Sequence, residues 1–482
     1  MGAQISKLAV TEIPDAYIAI SICSSSKIRI MNVTPEVREL LERLDQEITE
    51  KYGSTRGALV EYFGTLKIHV GDRLTFGEGG GKDRSTLGKF FALRLLEEMY
   101  NLGYNPVTSS ELATQHDKST WFFAKSAHEN RGRARICCIA PGGTIRNNKL
   151  VLLHHDEHIK QAVMLAVGNA WPGSSGAEDV SAAGETLHEI SLGGCWGMTH
   201  EDGMKTRKLI CSLVGNMSAL NWRLLASTNL KGSADSLYFI YDQTFSADPK
   251  DFCMLALAKS DRFRLINCDQ LLEPLETAIT DAGLVIQEKL DYYGSHEIKI
   301  KGNPWRSNDS EAITARRSIS RIMEVFGQNG YSPLYAIDVS RGLTDKSSIL
   351  FQKTTNPVNC KYACLALTGT NRLALLDFPS DVSAAMKDCI QQFYPTGIHK
   401  EVQLPDSNLQ VDVQGDPWMA LGFGKGSARF HMRAVMGKMM GGCGPAWLAC
   451  LNFSRCFGEI PEGKDNRCSQ PLFCEHAVGN GF

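Results

Sequence analysis

Four places in the sequence carry residue types that could do chemistry. Met1-Gly2-Ala3-Gln4-Ile5-Ser6 fits M-G-x-x-x-[ST], the acceptor pattern for N-myristoylation. Once methionine is removed, the unhindered amine of Gly2 takes the acyl chain. Gly77-Glu78-Gly79-Gly80-Gly81-Lys82-Asp83-Arg84-Ser85 stands between a strand pattern and a helix pattern, where a phosphate-binding loop would. Such a loop needs a hydroxyl directly after its lysine to hold magnesium. Here Asp83 occupies that place and would repel phosphate, so nucleotide binding is not expected. His154 and His158 have the i, i+4 spacing of two ligands on one helix face. Asp156 and Glu157 between them equally suit a helix start, where acids meet the positive end of the dipole. The densest thiol cluster is Cys443, Cys450, Cys456, Cys468 and Cys474 with His476. None of these is paired as C-x2-C, so zinc is not expected. With no nucleophile elbow, zincin or kinase motif, the expectation is a protein with no catalytic residue, cofactor or metal of its own.

A single myristoyl chain holds a membrane only marginally, with an association constant of about 10⁴ M⁻¹. No cysteine precedes Cys23, and Lys7 is the only basic residue among the first ten. The expected partners are therefore a membrane surface, reached by the acyl chain on Gly2, and an unknown protein. The expected location is the cytoplasm and the cytoplasmic face of membranes, as a peripheral, lipid-anchored protein.

Composition agrees with that address. The chain has 482 residues and a net charge of −2, from 51 basic and 53 acidic side chains, so whole-chain electrostatics make no case for nucleic acid. No apolar run reaches the roughly 18 residues needed to span a bilayer, and the start does not read as a secretory signal. Of 15 cysteines, Cys23, Cys137, Cys138, Cys253 and Cys364 sit inside apolar strand-like runs. There they pack as small hydrophobes, which predicts free thiols.

The elements that position these residues recur along the chain. Gly194-Cys195-Trp196, Gly302-Asn303-Pro304-Trp305 and Gly415-Asp416-Pro417-Trp418 each follow an alternating run such as His296-Glu297-Ile298-Lys299-Ile300. A fourth run, Leu66-Lys67-Ile68-His69-Val70, precedes Gly71 without the tryptophan. Alternation marks a half-buried strand. A helix pattern comes next, clearest where Ala312, Ile313, Ile319, Ile322, Met323 and Phe326 form one stripe. It stops at Asn329-Gly330, and an aromatic follows: Tyr331, matched by Tyr104, Trp222 and Trp447. Lys89, Arg207, Arg316 and Arg433 precede these aromatics at nearly constant spacing. Hairpins such as Phe252 to Leu257 with Arg262 to Ile266 begin each copy, and their alternation predicts apolar residues inside and basic residues outside.

The fold expected is α+β: four tandem repeats of a β-β-α-β-α-β-β unit, each a sheet packed by two helices. The boundaries are 1–13 for the acylated segment, then 14–127, 134–244, 251–355 and 361–476, the last degenerate. Residues Pro172 to Gly184, rich in Gly, Ser and Ala, read as an inserted loop. Trp196, Trp305, Trp418, Tyr331, Trp222 and Trp447 are candidates for packing or for an interaction surface.

The segments Gly330-Tyr331 to Phe351 and Asn221-Trp222 to Phe239, together with Gly2, resemble the repeat segment and N-terminus of the raftlin family of acylated membrane-raft proteins. This chain departs from that family in having Ala3, not cysteine, beside Gly2. The resemblance implies a membrane-organising or trafficking adaptor. Two functional readings follow: a non-enzymatic myristoylated scaffold whose repeat surfaces bind protein or lipid, and a cytosolic enzyme whose site lies between repeats.

Overall fold

The computed structural model describes residues 17–22, 27–52, 59–62, 65–69, 82–110, 120–125, 133–144, 147–154, 156–174, 176–182, 184–194, 196–197, 200–230, 234–307, 310–339, 347–394, 396–418, 435, 451–452 and 471–477. The first segment runs β1 (Tyr17–Ile22), β2 (Lys27–Met31), α1 (Pro35–Tyr52), β3 (Leu59–Tyr62), β4 (Thr65–His69), α2 (Lys82–Asn101), β5 (Tyr104–Ser110) and β6 (Thr120–Lys125). The second runs β7 (Ile136–Thr144), β8 (Asn147–Leu153), α3 (Glu157–Ala170), β9 (Ala177–Ala182), β10 (Glu185–Ser191), α4 (His200–Ala219), β11 (Trp222–Thr228) and β12 (Ser236–Tyr241). The third runs β13 (Phe252–Ala258), β14 (Arg262–Ile266), α5 (Leu272–Asp281), β15 (Ile286–Asp291), β16 (His296–Ile300), α6 (Ser310–Gln328), β17 (Tyr331–Ile337) and β18 (Ser348–Lys353). The fourth comprises β19 (Cys360–Thr368), β20 (Arg372–Leu376), α7 (Ser380–Phe393), β21 (Ile398–Gln403), β22 (Leu409–Val413), β23 (Leu451–Asn452) and β24 (Pro471–Ala477).

The fold is α+β, with four antiparallel sheets of six strands that share one order: third, fourth, second, first, sixth, fifth. Finer details match as well. Three of the sheets shift register at the same place, between Pro106 and Thr108, Leu224 and Ala226, and Pro333 and Tyr335. Asn32, Asn267 and Asp377, each just past a second strand, all take positive φ, near 60°. Asparagine and aspartate tolerate that left-handed turn because their short polar side chains bond locally.

Two expectations need correction. Each sheet has a sixth strand, the first arm of a second hairpin, so the five-strand pattern is one strand short. The supposed insertion at Pro172 to Gly184 contains one such arm, β9, which pairs with β10 from Glu185↔Ala182 to Ile190↔Ala177. These arms are sheet edges that show water both faces. In Ile286-Gln287-Glu288-Lys289-Leu290-Asp291 all but the first residue are exposed, so no alternation betrays a strand.

The second correction concerns the basic residues of the hairpins. Arg264 is buried, not outside, because both faces of its sheet are covered. On one face Cys253, Leu255, Leu257, Phe263 and Leu265 pack with α5 and α6. On the other, Met254, Ala256 and Ile266 share a core with α3 and α4 of the preceding segment. The same alternation of sheet and helix layer places Ile136, Cys138 and Ala140 against α1 and α2. It places Tyr362, Cys364 and Ala366 against α6.

The last helix layer meets the first sheet. Val382, Met386 and Ile390 of α7 join a core with Ala19, Met31 and Phe122. The layers therefore close into a ring. The fifth strands sit at its axis: β5 adjoins β11, β11 adjoins β17, β17 adjoins β23, and β23 returns to β5.

Candidate functional site

The aromatics singled out in the sequence are structural corners in this ring. Trp305 is fully buried; its backbone N–H donates to the Ser260 carbonyl (3.1 Å) and its indole N–H to the Arg262 carbonyl (3.2 Å). Trp418 repeats both bonds, to Thr370 (3.1 Å) and Arg372 (3.3 Å). Trp196 is also buried but stacks on Trp171 at 6.4 Å. Trp222 lies under the Arg135 guanidinium, 5.6 Å from its ring, and Tyr331 accepts a hydrogen bond from Gln270. Gly2, Trp447, Arg433 and most of the Gly77–Ser85 loop lie outside the described residues. So does the C-terminal thiol cluster, apart from Cys474 and His476, which fall on β24. Eight of the described cysteines, Cys138 and Cys211 among them, are free and buried, and burial pushes the Cys138 and Cys211 thiols up to about 12. Asp156 caps α3 by accepting from the His158 N–H (2.9 Å), and the His154 ring accepts from the Asp156 N–H (3.0 Å). No group of three metal-ligating side chains occurs among the described residues.

The recurring basic position and its neighbours join segments near the axis. Arg207 is buried and donates to the Ser348 hydroxyl of the next segment (3.0 Å) and to the Gly203 carbonyl (2.9 Å). The Asp235 N–H donates to the Asp338 carbonyl (2.8 Å), and the Asp338 N–H returns a bond to the Asp235 carboxylate (3.0 Å). Tyr335 reaches the Leu225 carbonyl of the preceding segment (2.6 Å).

The concave features lie between segments. One cleft of about 600 Å³ opens between α6 and the fourth sheet, lined by Arg317, Ser320, Arg321, Glu324, Tyr362 and Asp377 among others. A second, of about 540 Å³, opens between α2 and the second sheet, lined by Phe90, Leu93, Arg94, Glu97, Ile136 and His154 among others. They are one cavity built twice. Counting back from the aromatic that opens the fifth strand, Tyr104 or Tyr331, positions 14, 11, 10 and 7 are Phe90, Leu93, Arg94, Glu97 in one and Arg317, Ser320, Arg321, Glu324 in the other. Both volumes fall in the range of small-molecule pockets.

The same carboxylate bond spans both clefts. Glu324 accepts from the Tyr362 N–H of the next segment (3.3 Å) and pairs with Arg321 (3.1 Å). Glu97 pairs with Arg94 (2.6 Å) and accepts from the backbone of Ile136, the position matching Tyr362. Burial pushes the Glu97 carboxyl above its ordinary range, more than Arg94 pulls it down. The walls differ in character. Phe90, Leu93, Ile136 and Leu153 make the first cleft largely apolar. In the other, Arg317 bridges Asp377 (3.0 Å) and Asp406 (2.5 Å), and Arg321 also reaches Asp281 (3.1 Å). Burial works against the charge on Arg317, yet Asp377 and Asp406 together hold that guanidinium above its usual range.

Sequence reasoning found the aromatic corners and missed the clefts. The signal was present in the column eleven residues before each aromatic, which reads Leu93, Cys211, Ser320: two weakly polar or apolar residues and one hydroxyl, all buried. A family model for a single domain matches this chain three times, at residues 137–240, 251–352 and 361–455. No curated protein and no solved structure matches it.

Proposed function

The chain belongs to the family defined by that thrice-matched domain, which covers more than half of it, and we propose that it is a non-enzymatic scaffold held at the cytoplasmic face of membranes by a myristoyl group on Gly2. In this reading residues 17–125 are a fourth, diverged copy of the domain. Their sheet has the strand order of the three matched ones, which supports the assignment.

One observation carries the scaffold reading. The recurring residues are engaged in structure: Trp305 and Trp418 hold corners within their own segments, while Arg207, Glu97 and Glu324 bond to the next segment. A residue repeated for catalysis would converge on a reacting centre with its counterparts. These instead make structural bonds, within a segment at the tryptophans and to the next segment at Arg207, Glu97 and Glu324, as a rigid display platform requires. No described helix is long and apolar enough to cross a membrane, so attachment through one acyl chain would be peripheral and reversible. The raftlin-like segments and acceptor start support a membrane-organising adaptor with an unidentified protein partner.

The test is metabolic labelling with a myristate analogue in cells expressing wild type or Gly2→Ala, followed by membrane fractionation. The wild type should take up label and partition between membrane and soluble fractions, while Gly2→Ala should be unlabelled and mostly soluble. An unlabelled wild type removes the anchor from this account.

A further inference from the structure

We propose that the cleft between α2 and the second sheet is a berth for the chain's own N-terminal acyl group, filled when the protein is off the membrane. The inference rests on the acylation of Gly2 proposed above. It starts from what differs between the two clefts. Register pairs Leu153 with Cys138 and Leu376 with Cys364, so His154 and Asp377 hold the same place after a second strand. The walls then compare residue by residue: Phe90 stands for Arg317, Leu93 for Ser320, Ile136 for Tyr362 and His154 for Asp377. Helix and sheet of the polar cleft are joined by the Arg317–Asp377 ion pair (3.0 Å), and neither partner of that pair is present in the other. What remains is an apolar floor of Phe90, Leu93, Ile136 and Leu153, with exposed Arg133 and Arg135 at the rim. Without the ion pair and the two hydroxyls, this cavity of about 540 Å³ has few groups to hold water. An apolar floor under a charged rim suits an apolar chain with a polar end.

Position selects the occupant. Tyr17, the first described residue, pairs with Ala124, and Ala124 pairs with Asn105. Two strand spacings of about 4.8 Å therefore separate Tyr17 from the start of β5, which follows closely on the C-terminal end of α2. That end is tied to the cleft, since Asn101 accepts from the N–H of Ala134 on the cleft wall (2.8 Å). Residues 2–16 span on the order of 50 Å at about 3.3 Å each, ample for the way round the end of α2. Tethering on this scale corresponds to an effective concentration on the order of millimolar, which gives the attached chain the advantage over an untethered one. Cleft and bilayer then compete for a single acyl chain, whose membrane association constant of about 10⁴ M⁻¹ is weak enough for the competition to matter.

The experiment uses the full-length protein expressed with and without an N-myristoyltransferase, acylation being scored by mass. Acylated wild type should melt several degrees above the unacylated protein. Acylation should also slow amide exchange along α2 from Phe90 to Glu97. The double variant Phe90→Arg, Leu93→Ser installs the residues of the sister cleft, and its own unacylated form sets its baseline. It should lose the acyl-dependent increment and bind phosphatidylcholine vesicles several-fold more than acylated wild type does. If the variant fails to fold, the exchange comparison in wild type decides alone. Equal melting and unchanged exchange in acylated wild type, or an increment that the double variant retains, would overturn the berth and leave the Gly2 anchor standing. A wild type that the transferase leaves unmodified would overturn both. Free myristate, mixed one-to-one with unacylated protein, should stabilise it less than the attached chain; equal stabilisation would overturn the tethered occupant in favour of an exchangeable fatty acid.

Discussion

The two clefts described lie at the joints before and after the one between the second and third segments, which is closed at Gly215. The position seven residues before the fifth strand is Gly215 at the closed joint, Glu97 and Glu324 at the open ones. A Cβ on Gly215 would lie 2.6 Å from the Pro249 carbonyl oxygen, so the helix there rests directly on the incoming chain, as α6 does one turn later at Gly327, where a Cβ would lie 2.7 Å from the Val358 carbonyl oxygen. At the open joints a carboxylate reaches out instead to a backbone N–H of the next strand. The same position in a repeated frame thus makes a direct helix-to-chain contact at one joint and a side-chain bond at the two others. Charge follows the same division. The closed joint buries Glu297 between Arg262 and Arg264 (2.7 Å to the latter), with the Arg264 guanidinium 3.9 Å over the Tyr292 ring. The corresponding pair in the fourth sheet is Ala374 opposite Gln410, and there the charges line the cleft instead.

The hardest blow to this contrast should come from Glu297→Ala, which strands two arginines in the closed joint. The expected cost is about 3–5 kcal/mol, read from urea unfolding. A loss below about 1 kcal/mol would show that the buried charges are dispensable. Burial opposes the ionised Glu297 carboxylate, but Arg264 and Arg262 outweigh it and set its folded pKa below the ordinary value. The stabilisation is therefore complete above the carboxylate range and disappears as pH falls through that lowered folded value. Glu297→Gln should flatten the acid limb of the stability profile.

A smaller effect is expected of Gly215→Ala, since the contact is with backbone and the helix must retreat: about 1–3 kcal/mol by the same measurement. An alanine accepted at no cost would mean that the seam is looser than the glycine implies.

Smaller still is Glu324→Gln, which keeps the bond to the Tyr362 N–H but loses its charge, at about 1 kcal/mol. Glu97→Gln should cost less than that, because burial already disfavours the charged form of Glu97. If the two variants behaved in the reverse order, the two carboxylate bonds would not be energetic counterparts.

Legibility in the sequence followed burial. β13 and β14 were readable because both carry apolar side chains at every second position with few interruptions. The helix ending at Gly330 was readable because that residue has φ near +78°, which glycine adopts without strain. The edge strands β9, β15 and β21 were not, since exposed residues have no reason to alternate. Ring closure left no local mark either. Arg264 read as outward-facing because nothing in a hairpin tells that a distant helix layer covers its second face. The cleft was hidden for a different reason. A serine within a helix is unremarkable until three copies are set in register and its neighbours prove to be Leu93 and Cys211.

Ring closure also sets a timetable for synthesis. Phe122, on the first sheet, shares its core with Val413, made about 290 residues later. At roughly 5–20 residues per second, the outer face of the first sheet waits on the order of 15–60 s on the ribosome for its cover. Ala19, Met31 and Phe122 remain an uncovered apolar surface for that interval, and the helix layer that relieves it is the last one translated among the described residues. A stalled or truncated chain would keep that surface, which makes the first sheet the natural point of capture for a chaperone.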